Sequence, residues 1–323
     1  MRACCATRGT SSEATRTWWA SCPRWARASR PSASIRSPVP VTAPTSKVSL
    51  LSRKIGIDLG SSTVRIYVKG EGIVVNEPSG VATLPRLIGK AGGRPRLFRP
   101  DVVVSVRSGV TSRERREMTE VAMSAGARQV WLIDEPLAAA MGAGLPIGEV
   151  RASAICELGA ATTEVAVISL SGMLATRSIG VGGRTLDAAI AARFNLTKQE
   201  GEEVKIAVGS AMAVEEPSTV AVRGVEITSN DVAEAIANPL RLIATAISEV
   251  VRELPRRHAV EVRERGIVLS GGGAELRNLS RYITTTTGIP AVVAEEPQTT
   301  VVRGTGVALD TFEVLKRNKS NLR

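Results

Sequence analysis

The sequence predicts an α/β fold made of two related halves. From Ile55 onward, apolar runs of strand length alternate with helical patterns, which is typical of α/β domains. A short segment also repeats, because IDLGSSTVRIYV at residues 57–68 returns as CELGAATTEVAV at residues 156–167. At 323 residues the chain is long enough to bury two cores. A duplicated fold whose two copies face each other would produce both patterns.

Local signals predict the elements along the chain. Strands are expected at residues 55–59, 63–68, 72–75, 102–106, 129–133, 154–158, 163–169, 173–178, 266–270 and 291–294. Helices are expected at residues 184–193, 198–208, 230–253 and 303–315, and from the glycines at 271–273 through 286. Thr111 and Glu114 form a capping-box pattern for a helix that Gly126 ends, and Pro136 suits the start of a short Ala-rich helix. Residues 85–100, rich in Pro, Gly and Arg, predict a connector.

The net charge of +11 belongs mostly to one end of the chain. Residues 1–54 contain ten Lys and Arg against one acid, whereas the remainder contains 32 against 30. The body is therefore close to neutral, and nucleic acid is not expected as a partner. No run of about 18 apolar residues appears, so no membrane-spanning helix is expected. The single body cysteine, Cys156, fits a buried strand position and a reducing compartment.

We expect residues 1–53 to form a disordered basic tail, because they are rich in Ser, Ala, Arg and Pro without sustained periodicity. Their Arg-rich, acid-poor composition is like that of a transit peptide, and it is equally consistent with non-native sequence ahead of a later start. Residues 54–150 are expected to form a first domain and residues 151–312 a second. Residues 313–323 would form a C-terminal tail.

The turn between the first two strands is the first candidate site. Asp58 lies at the end of an apolar run, and Gly60, Ser61, Ser62 and Thr63 precede the next strand. Backbone N–H groups in such turns bind anions, and a nearby carboxylate can hold Mg²⁺ through water. The alternative is a β-hairpin with a polar turn. The stretch alone favours the hairpin, because short motifs match by chance.

Two further segments could meet a phosphate or a nucleotide. The repeat copy has Glu157 where the first copy has Asp58, followed by the small-residue turn 159–163. LSGGGAELRNL has three glycines between a strand and a helix, where a ligand can approach the backbone closely. The helix N-terminus there favours an anion. A tight strand-to-helix turn explains the glycines equally well.

A pair of acids marks a third segment. IDEPLAAAMGAGLP has Asp134 and Glu135 after a strand and before a helix, where one carboxylate could orient water for attack on a phosphate. The alternative, which the segment alone favours, is an acid stabilised by the helix dipole. His258, the only histidine, lies in a charged stretch and is interpreted as a solvated surface residue. Its isolation excludes His-based triads and His-rich metal sites.

Taken in order, these segments resemble the MreB/Mbl family of bacterial actin-like, rod-shape-determining proteins. IDLGSSTVRIYVKGEGIVVNEPSGVA resembles the family's first phosphate loop, and GARQVWLIDEPLAAAMGAGLPI resembles its connecting helix. TTEVAVISLSGMLATRSIGVGGRTLDAAI resembles its second phosphate strand and the helix that follows. EEVKIAVGSA and the segment from GIVLSGGGAELRNL to GTGVALD resemble its adenosine side. The likeness covers nearly all of residues 55–310 and implies an actin-like ATPase (ribonuclease H-like) fold.

The resemblance implies a cytoplasmic protein that binds ATP and Mg²⁺ between two domains. It implies filaments, of this chain or with a full-length MreB-like protein, at the anionic inner face of the cell membrane, where they organise the cell-wall synthesis machinery. Carried over by position, it assigns Mg²⁺ to Asp58 and Glu157, and the hydrolytic water to Glu135, Thr162 and Thr163. The phosphates would contact Asp58, Gly60, Ser61, Ser62, Thr63, Gly159, Ala160, Ala161 and Thr162. The adenosine would contact Glu202, Lys205, Gly271, Gly272 and Gly273.

Three departures from the family pattern bear on function. The chain between Pro78 and Pro100 is far too short for the small subdomain that the family has there, and residues 213–229 are also abbreviated. The second phosphate turn reads Glu-Leu-Gly-Ala-Ala-Thr-Thr where the family has Asp-x-Gly-Gly-Gly-Thr-Thr. Each alanine adds a Cβ near the phosphate and resists positive φ by about 1 kcal/mol. The opening turn has Ser-Ser-Thr for the usual Thr-Ala-Asn, a mild change. We therefore expect nucleotide binding with weak or absent hydrolysis.

A membrane contact is expected at Leu97 and Phe98. This apolar pair lies between arginines in the connector, at the position of the apolar loop with which MreB-like proteins touch the membrane. The alternative is that the pair covers core left open by the missing subdomain.

Two other function classes share the superfamily. A small-molecule kinase needs a substrate base and a larger first domain, neither of which the sequence shows. A chaperone-type ATPase is the third class, and the long matching segments favour the cytoskeletal family over both.

Overall fold

The structure is a computed structural model that describes residues 53–79, 84–92 and 99–310. The strands are β1 (Lys54–Leu59), β2 (Thr63–Val68), β3 (Gly72–Pro78), β4 (Asp101–Val106), β5 (Gln129–Asp134), β6 (Ser153–Leu158), β7 (Thr163–Ser169), β8 (Gly172–Ile179), β9 (Thr219–Val222), β10 (Val225–Thr228), β11 (Ile267–Ser270) and β12 (Ala291–Val293). The helices are α1 (Leu84–Gly92), α2 (Ser112–Ser124), α3 (Glu135–Gly142), α4 (Gly183–Phe194), α5 (Lys198–Val208), α6 (Ser229–Ala235), α7 (Ala237–Glu253), α8 (Arg256–Arg265), α9 (Leu279–Thr287) and α10 (Thr300–Asp310). Short 3₁₀ helices span Gly272–Glu275 and Pro297–Thr299. The predicted α/β class is confirmed.

The two large sheets have the same topology. The first has strand order β3-β2-β1-β4-β5 and the second, written in the same direction, has order β8-β7-β6-β11-β12. In each sheet the first three strands of this order pair antiparallel with their neighbours. The third strand and the two that follow it pair in parallel. The repeated sequence segment forms β1–β2 in one sheet and β6–β7 in the other. The internal repeat is therefore a repeat of the fold.

Burial explains the strand patterns. Strands β4, β6 and β7 are buried along their whole length, which is why they read as continuous apolar runs. Strand β2 alternates between buried and half-buried residues, because only one of its faces meets the first core. That core contains Ile57 and Ile66, and the core of the second sheet contains Leu240 and Ile247. Each half thus has its own apolar interior.

Helices α3 and α10 join the two halves. Their apolar side chains pack with Val103 of the first sheet and Ile155 of the second in a third apolar cluster. The helices meet backbone to backbone, because a Cβ on Gly304 would lie 1.7 Å from the carbonyl oxygen of Ala138. A Cβ on Gly142 would lie 1.8 Å from the carbonyl oxygen of Thr300. Only glycine fits at these two positions.

Several predicted elements are corrected. Residues 230–253 are not one helix, since the backbone turns at Ile236 between α6 and α7. The glycines after β11 lead into a 3₁₀ helix, and α9 begins only after Asn278, whose φ is 61°. The connector at residues 85–100 contains α1, which Glu77 holds through Arg86 and Lys90 at 2.7 and 3.1 Å. The last helix begins at residue 300 rather than 303.

Three elements, a pair of strands and one helix, had no counterpart in the prediction. Strands β9 and β10 form a hairpin whose two-residue turn, Arg223 and Gly224, has φ angles of 51° and 80°. Helix α8 occupies the charged stretch after Pro255. In the ranges given above, no helix combines the length and apolar character needed to cross a membrane. The expected tail before Arg53, the C-terminal tail at 313–323 and the expected membrane pair Leu97–Phe98 lie outside the described residues.

Candidate functional site

A cleft of about 880 Å³ separates the two halves. Its walls are the β1–β2 turn, the β6–β7 turn, the start of α4, one face of α5 and the glycines after β11. Most of the predicted site residues line it: Asp58, Gly60, Ser61, Ser62, Thr63, Glu135, Glu157, Gly159, Ala160, Thr162, Glu202, Lys205, Gly271, Gly272 and Gly273. Segments that lie more than two hundred positions apart in sequence therefore share one cleft.

Two predicted residues do not line the cleft. Thr163 is fully buried, and its hydroxyl donates a hydrogen bond of 2.7 Å to the carbonyl oxygen of Val181. Ala161 is absent from the cleft lining as well. Of the two threonines, only Thr162 lines the cleft.

Asp58 lies at the floor of the first turn. It is buried, its Oδ2 lies 3.6 Å from Nη1 of Arg65, and Ser105 Oγ donates to its Oδ1 at 3.4 Å. Burial raises the pKa of Asp58 to about 6, and the Arg65 and Ser105 contacts only partly oppose this rise. A cation in the cleft would stabilise the ionised carboxylate, which is what a metal ligand at this position requires.

The second turn repeats the geometry of the first. A Cβ on Gly60 would lie 2.9 Å from the carbonyl oxygen of Thr63, and a Cβ on Gly159 would lie 3.2 Å from that of Thr162. The backbone strain expected at the two alanines is not present, because neither belongs to the residues with positive φ. The remaining difference from a glycine turn is the Cβ of Ala160, which lies at the cleft wall.

Carboxylates crowd the centre of the cleft. Burial raises the pKa of Glu157 well above its ordinary value, and repulsion from Asp58 and Glu164 raises it further. Burial also raises the pKa of Glu135 well above its ordinary value. Repulsion from the carboxylates of Glu157, Glu164 and Asp58 raises it further. Because these acids are buried close together, a cation among them would stabilise their ionised forms.

Glu164 connects the two halves at this point. It is fully buried on β7, and both its carboxylate oxygens accept the backbone N–H of Ser108 at 3.1 Å. Its Cα partner across the β6–β7 ladder is Glu157, whereas the matching pair in the first half is Asp58 opposite Arg65. Like charges directly opposite one another destabilise a sheet. Burial raises the pKa of Glu164, although its hydrogen bonds act to lower it.

The first residues of α4 are hydrogen-bonded to the second turn. The Gly183 N–H donates to the carbonyl oxygen of Gly159 at 2.9 Å, and the Arg184 N–H donates to that of Ala160 at 2.8 Å. A Cβ on Gly182 would lie 2.7 Å from the Gly159 carbonyl oxygen, so a larger residue would lift the helix off the turn. This contact fixes the position of the turn relative to α4.

The predicted adenosine side contains an ion pair and exposed backbone. Lys205 Nζ lies 2.5 Å from Asp187 Oδ1. A Cβ on Gly271 would lie 2.4 Å from the carbonyl oxygen of Leu158, whereas a Cβ on Gly272 would meet only the side chain of Gln298, at 3.9 Å. Gly272 therefore presents bare backbone to the cleft. Glu202 lies at the exposed end of the same wall.

These residues fit ATP and Mg²⁺. The cleft has the volume of a small-molecule site, and its open backbone at Gly272 admits close approach. Oxygen ligands such as Asp58 and Glu157 suit a hard divalent cation. Among the described residues no three His, Cys, Asp or Glu form a ready metal site.

Sequence reasoning missed several charged residues in the cleft wall and directly behind it. The repeat could have identified Arg65 and Glu164, which occupy matching positions 99 residues apart in the two copies. Arg184 and Asp187 gave no signal beyond a helix start. His258, interpreted above as solvated, is instead largely buried, with Nδ1 2.9 Å from Oε2 of Glu261. Cys156 is fully buried on β6, as predicted.

Comparison with known proteins decides the family. A family model described as "MreB/Mbl protein" matches residues 52–86 and 82–317. The cell shape-determining protein MreB of Escherichia coli K12 is 36% identical over 331 positions, covering 82% of this chain and 95% of that protein. The chain belongs to the MreB/Mbl family. This family consists of actin-like, cell shape-determining cytoskeletal proteins, as the sequence predicted.

Solved structures agree with the MreB/Mbl assignment. MreB5 of Spiroplasma citri bound to ADP has a TM-score of 0.74 and 25% identity, covering 84% of this chain and 99% of that one. The same protein bound to AMPPNP also has a TM-score of 0.74 and 24% identity, and the match covers 83% of this chain and 99% of that one. The MamK double helical filament has a TM-score of 0.66 and 14% identity, covering 80% and 98%, which supports the actin-like fold alone.

The same comparison locates the shortening of this MreB/Mbl chain. The alignment with E. coli MreB spans 331 positions, and 82% of 323 residues is about 265, so about 66 positions have no residue here. The family model matches in two pieces that meet at residues 82–86. This point lies between Pro78 and Pro100, where the sequence predicted that the small subdomain is missing.

Proposed function

We propose that this MreB/Mbl chain binds ATP with Mg²⁺ in the cleft and takes part in filaments at the inner face of the cell membrane. The observation that carries the proposal is the pairing of two matching strand–turn–strand units across one cleft, each with a buried carboxylate at its floor. Nucleotide-bound S. citri MreB5 supports the ligand. The double helical MamK filament, a fold relative, supports self-association.

Residue roles follow from position in the cleft. The turns at 60–63 and 159–162 would hold the phosphates through their backbone N–H groups. Asp58 and Glu157 would hold Mg²⁺, which when bound would neutralise charge on the phosphates. Glu135 would orient a water molecule, with Thr162 beside it, and Lys205, Glu202 and the glycines 271–273 would hold the adenosine. As partners we propose this chain or a full-length MreB-like protein, the anionic membrane surface and the cell-wall synthesis machinery.

Calorimetry with AMPPNP and Mg²⁺ tests nucleotide binding directly. Wild type is expected to bind, and Asp58→Ala is expected to weaken binding, because it removes a carboxylate from the metal site. Sedimentation of the protein, alone and with a full-length MreB-like protein, tests filament formation. The proposal would be rejected if calorimetry detected no heat of nucleotide binding and no sedimentable polymer formed under any of these conditions. Phosphorylation of small hydroxyl compounds would instead favour a kinase, which no feature of the cleft supports.

Hydrolysis is expected to be weak and to rise on repair of the second turn. Ala160→Gly with Glu157→Asp should raise the rate of phosphate release by about tenfold. The two changes remove the Cβ at the cleft wall and shorten the carboxylate side chain by one methylene. A wild-type rate already equal to that of the repaired variant would contradict the expectation.

Attachment to lipid is expected to depend on Leu97 and Phe98. Burying both side chains would contribute about 3–6 kcal/mol at most, and each nearby arginine about 1 kcal/mol on an anionic surface. Co-sedimentation with anionic vesicles should therefore fall for the double variant Leu97→Ser/Phe98→Ser, measured without residues 1–50 to remove the basic segment. Equal binding of both folded proteins would show that the pair is not the anchor.

A further inference from the structure

Arg184 connects the two turns of the cleft. It is the second residue of α4, in the half of the molecule that contains the second turn. Its side chain crosses the cleft, and Nη2 donates a hydrogen bond of 2.7 Å to the carbonyl oxygen of Ser61 in the first turn. The two residues are 123 positions apart in sequence. No role was assigned to Arg184 by the sequence or by the proposed function.

The backbone of Arg184 is fixed, whereas its side chain is exposed. The backbone N–H donates to Ala160 of the second turn, and the preceding residue, Gly183, is held by Gly159. The side chain itself is exposed in the cleft. A guanidinium anchored in this way can reach different atoms of the first turn, or a ligand beside it, without moving the helix.

The present partner of the guanidinium is a neutral carbonyl. Two other cations of the cleft are paired with carboxylates, since Arg65 pairs with Asp58 and Lys205 pairs with Asp187. Arg107 and Arg277 also line the cleft, but of these cleft cations only Arg184 donates a hydrogen bond to the first turn. Within the described ranges, no carboxylate lies within ion-pair distance of Arg184. Arginine presents parallel N–H donors that match two oxygens of a phosphate, and charge-assisted bonds of this kind are roughly twice as strong as neutral ones. A phosphate near Ser61 would therefore be a better partner than the carbonyl.

We propose that Arg184 determines the preference of this cleft for a nucleoside triphosphate over a diphosphate, by exchanging the Ser61 carbonyl for the terminal phosphate. The inference rests on the proposed nucleotide binding and adds a specificity-determining residue to it. The guanidinium already reaches the first turn, so the exchange requires rotation of one side chain. A diphosphate lacks the terminal group, and Arg184 would then keep its bond to Ser61.

Calorimetry with AMPPNP and with ADP, each with Mg²⁺, tests the proposal. Arg184→Ala should weaken AMPPNP binding by about tenfold or more and change ADP binding by less than about twofold. Arg184→Lys should lie between wild type and Arg184→Ala for AMPPNP, because an ammonium supplies charge without the two parallel donors. Arg193→Ala is the matched control, because Arg193 lies on the same helix and pairs with Glu234 at 2.9 Å, away from the cleft lining.

The possible outcomes separate the two proposals. Equal weakening of both nucleotides by Arg184→Ala, or no effect on either, would overturn the role of Arg184 while leaving nucleotide binding intact. Failure of the wild-type protein to bind either nucleotide would overturn the proposed function and this inference together. Thermal melting without nucleotide confirms that each variant is folded. A loss of AMPPNP affinity alone, restored in part by lysine, is the expected result.

Discussion

Replacing Gly304 by alanine is expected to destabilise the protein by about 3 kcal/mol. The new Cβ would lie 1.7 Å from the carbonyl oxygen of Ala138, and that atom belongs to the backbone of α3. A backbone cannot turn aside as a flexible side chain can, so α3 and α10 must move apart. The apolar cluster between the two sheets would then lose its close packing. Urea denaturation measures the change as a fall in the free energy of unfolding.

Gly89→Ala is the matched control for this prediction. Gly89 also lies within a helix, but a Cβ there would have no atom within 4 Å. Alanine is the better helix former, so this variant should be as stable as wild type or more stable by up to about 1 kcal/mol. Equal stabilities for Gly304→Ala and Gly89→Ala would show that the helix crossing tolerates a larger separation.

Without nucleotide, the protein is expected to lose stability as the pH rises from 5 to 8. The pKa of Asp58 is about 6 in the folded protein against an ordinary value of 3.8, so the folded state binds more protons between these values. By linkage, stability then falls as the pH rises from about 4 through about 6. The full shift corresponds to about 3 kcal/mol, of which roughly half is lost above pH 5. The pKa values of Glu135 and Glu157 are also raised, so their ionisation at higher pH adds to the loss.

Thermal melting across this range measures the effect. The melting temperature at pH 8 should lie about 4 °C or more below that at pH 5. Asp58→Asn with Glu157→Gln should flatten the profile, because the raised carboxylates are removed. Below about pH 4.5 the trend should reverse, since hydrogen bonds lower the pKa of Glu261 to about 2 and its contribution to stability is lost as the pH falls. A melting temperature that rises steadily from pH 5 to 8 would refute the prediction.

The strands and the two turns were predictable because their signals are local. Buried runs such as β4 and β6 are continuously apolar, and the capping box at Thr111 and Glu114 forms as expected, with a bond of 3.2 Å from the Glu114 N–H. The repeated segment predicted that two similar turns would meet. Each of these inferences needs only residues that are close in sequence, or two copies of one pattern.

The corrected elements share a different cause. Helix α1 was read as connector because Pro85, Gly89 and Gly92 interrupt its pattern, although its amphipathic face packs on the first core. The break at Ile236 was missed because apolar residues continue through it with helical spacing. In both places tertiary packing outweighs local propensity.

The missed site residues depend on contacts that sequence spacing cannot reveal. Glu164 accepts the N–H of Ser108 from 56 positions away, and Arg184 reaches Ser61 from 123 positions away. Neither pair has a motif. The folded arrangement of the two halves creates both contacts, although the repeat does mark position 164 as the counterpart of Arg65.

The matched strand pairs of the two sheets leave the cleft electrically polarised across its width. In one wall Asp58 faces Arg65 and the charges cancel, whereas in the other Glu157 faces Glu164 and, when both are ionised, two negative charges add. That asymmetry exists only where both glutamates are ionised, because burial raises the pKa of each and a protonated pair leaves both strand pairs without net charge. A single inverted charge between two copies of one structural unit thus gives a nearly symmetric cleft a direction.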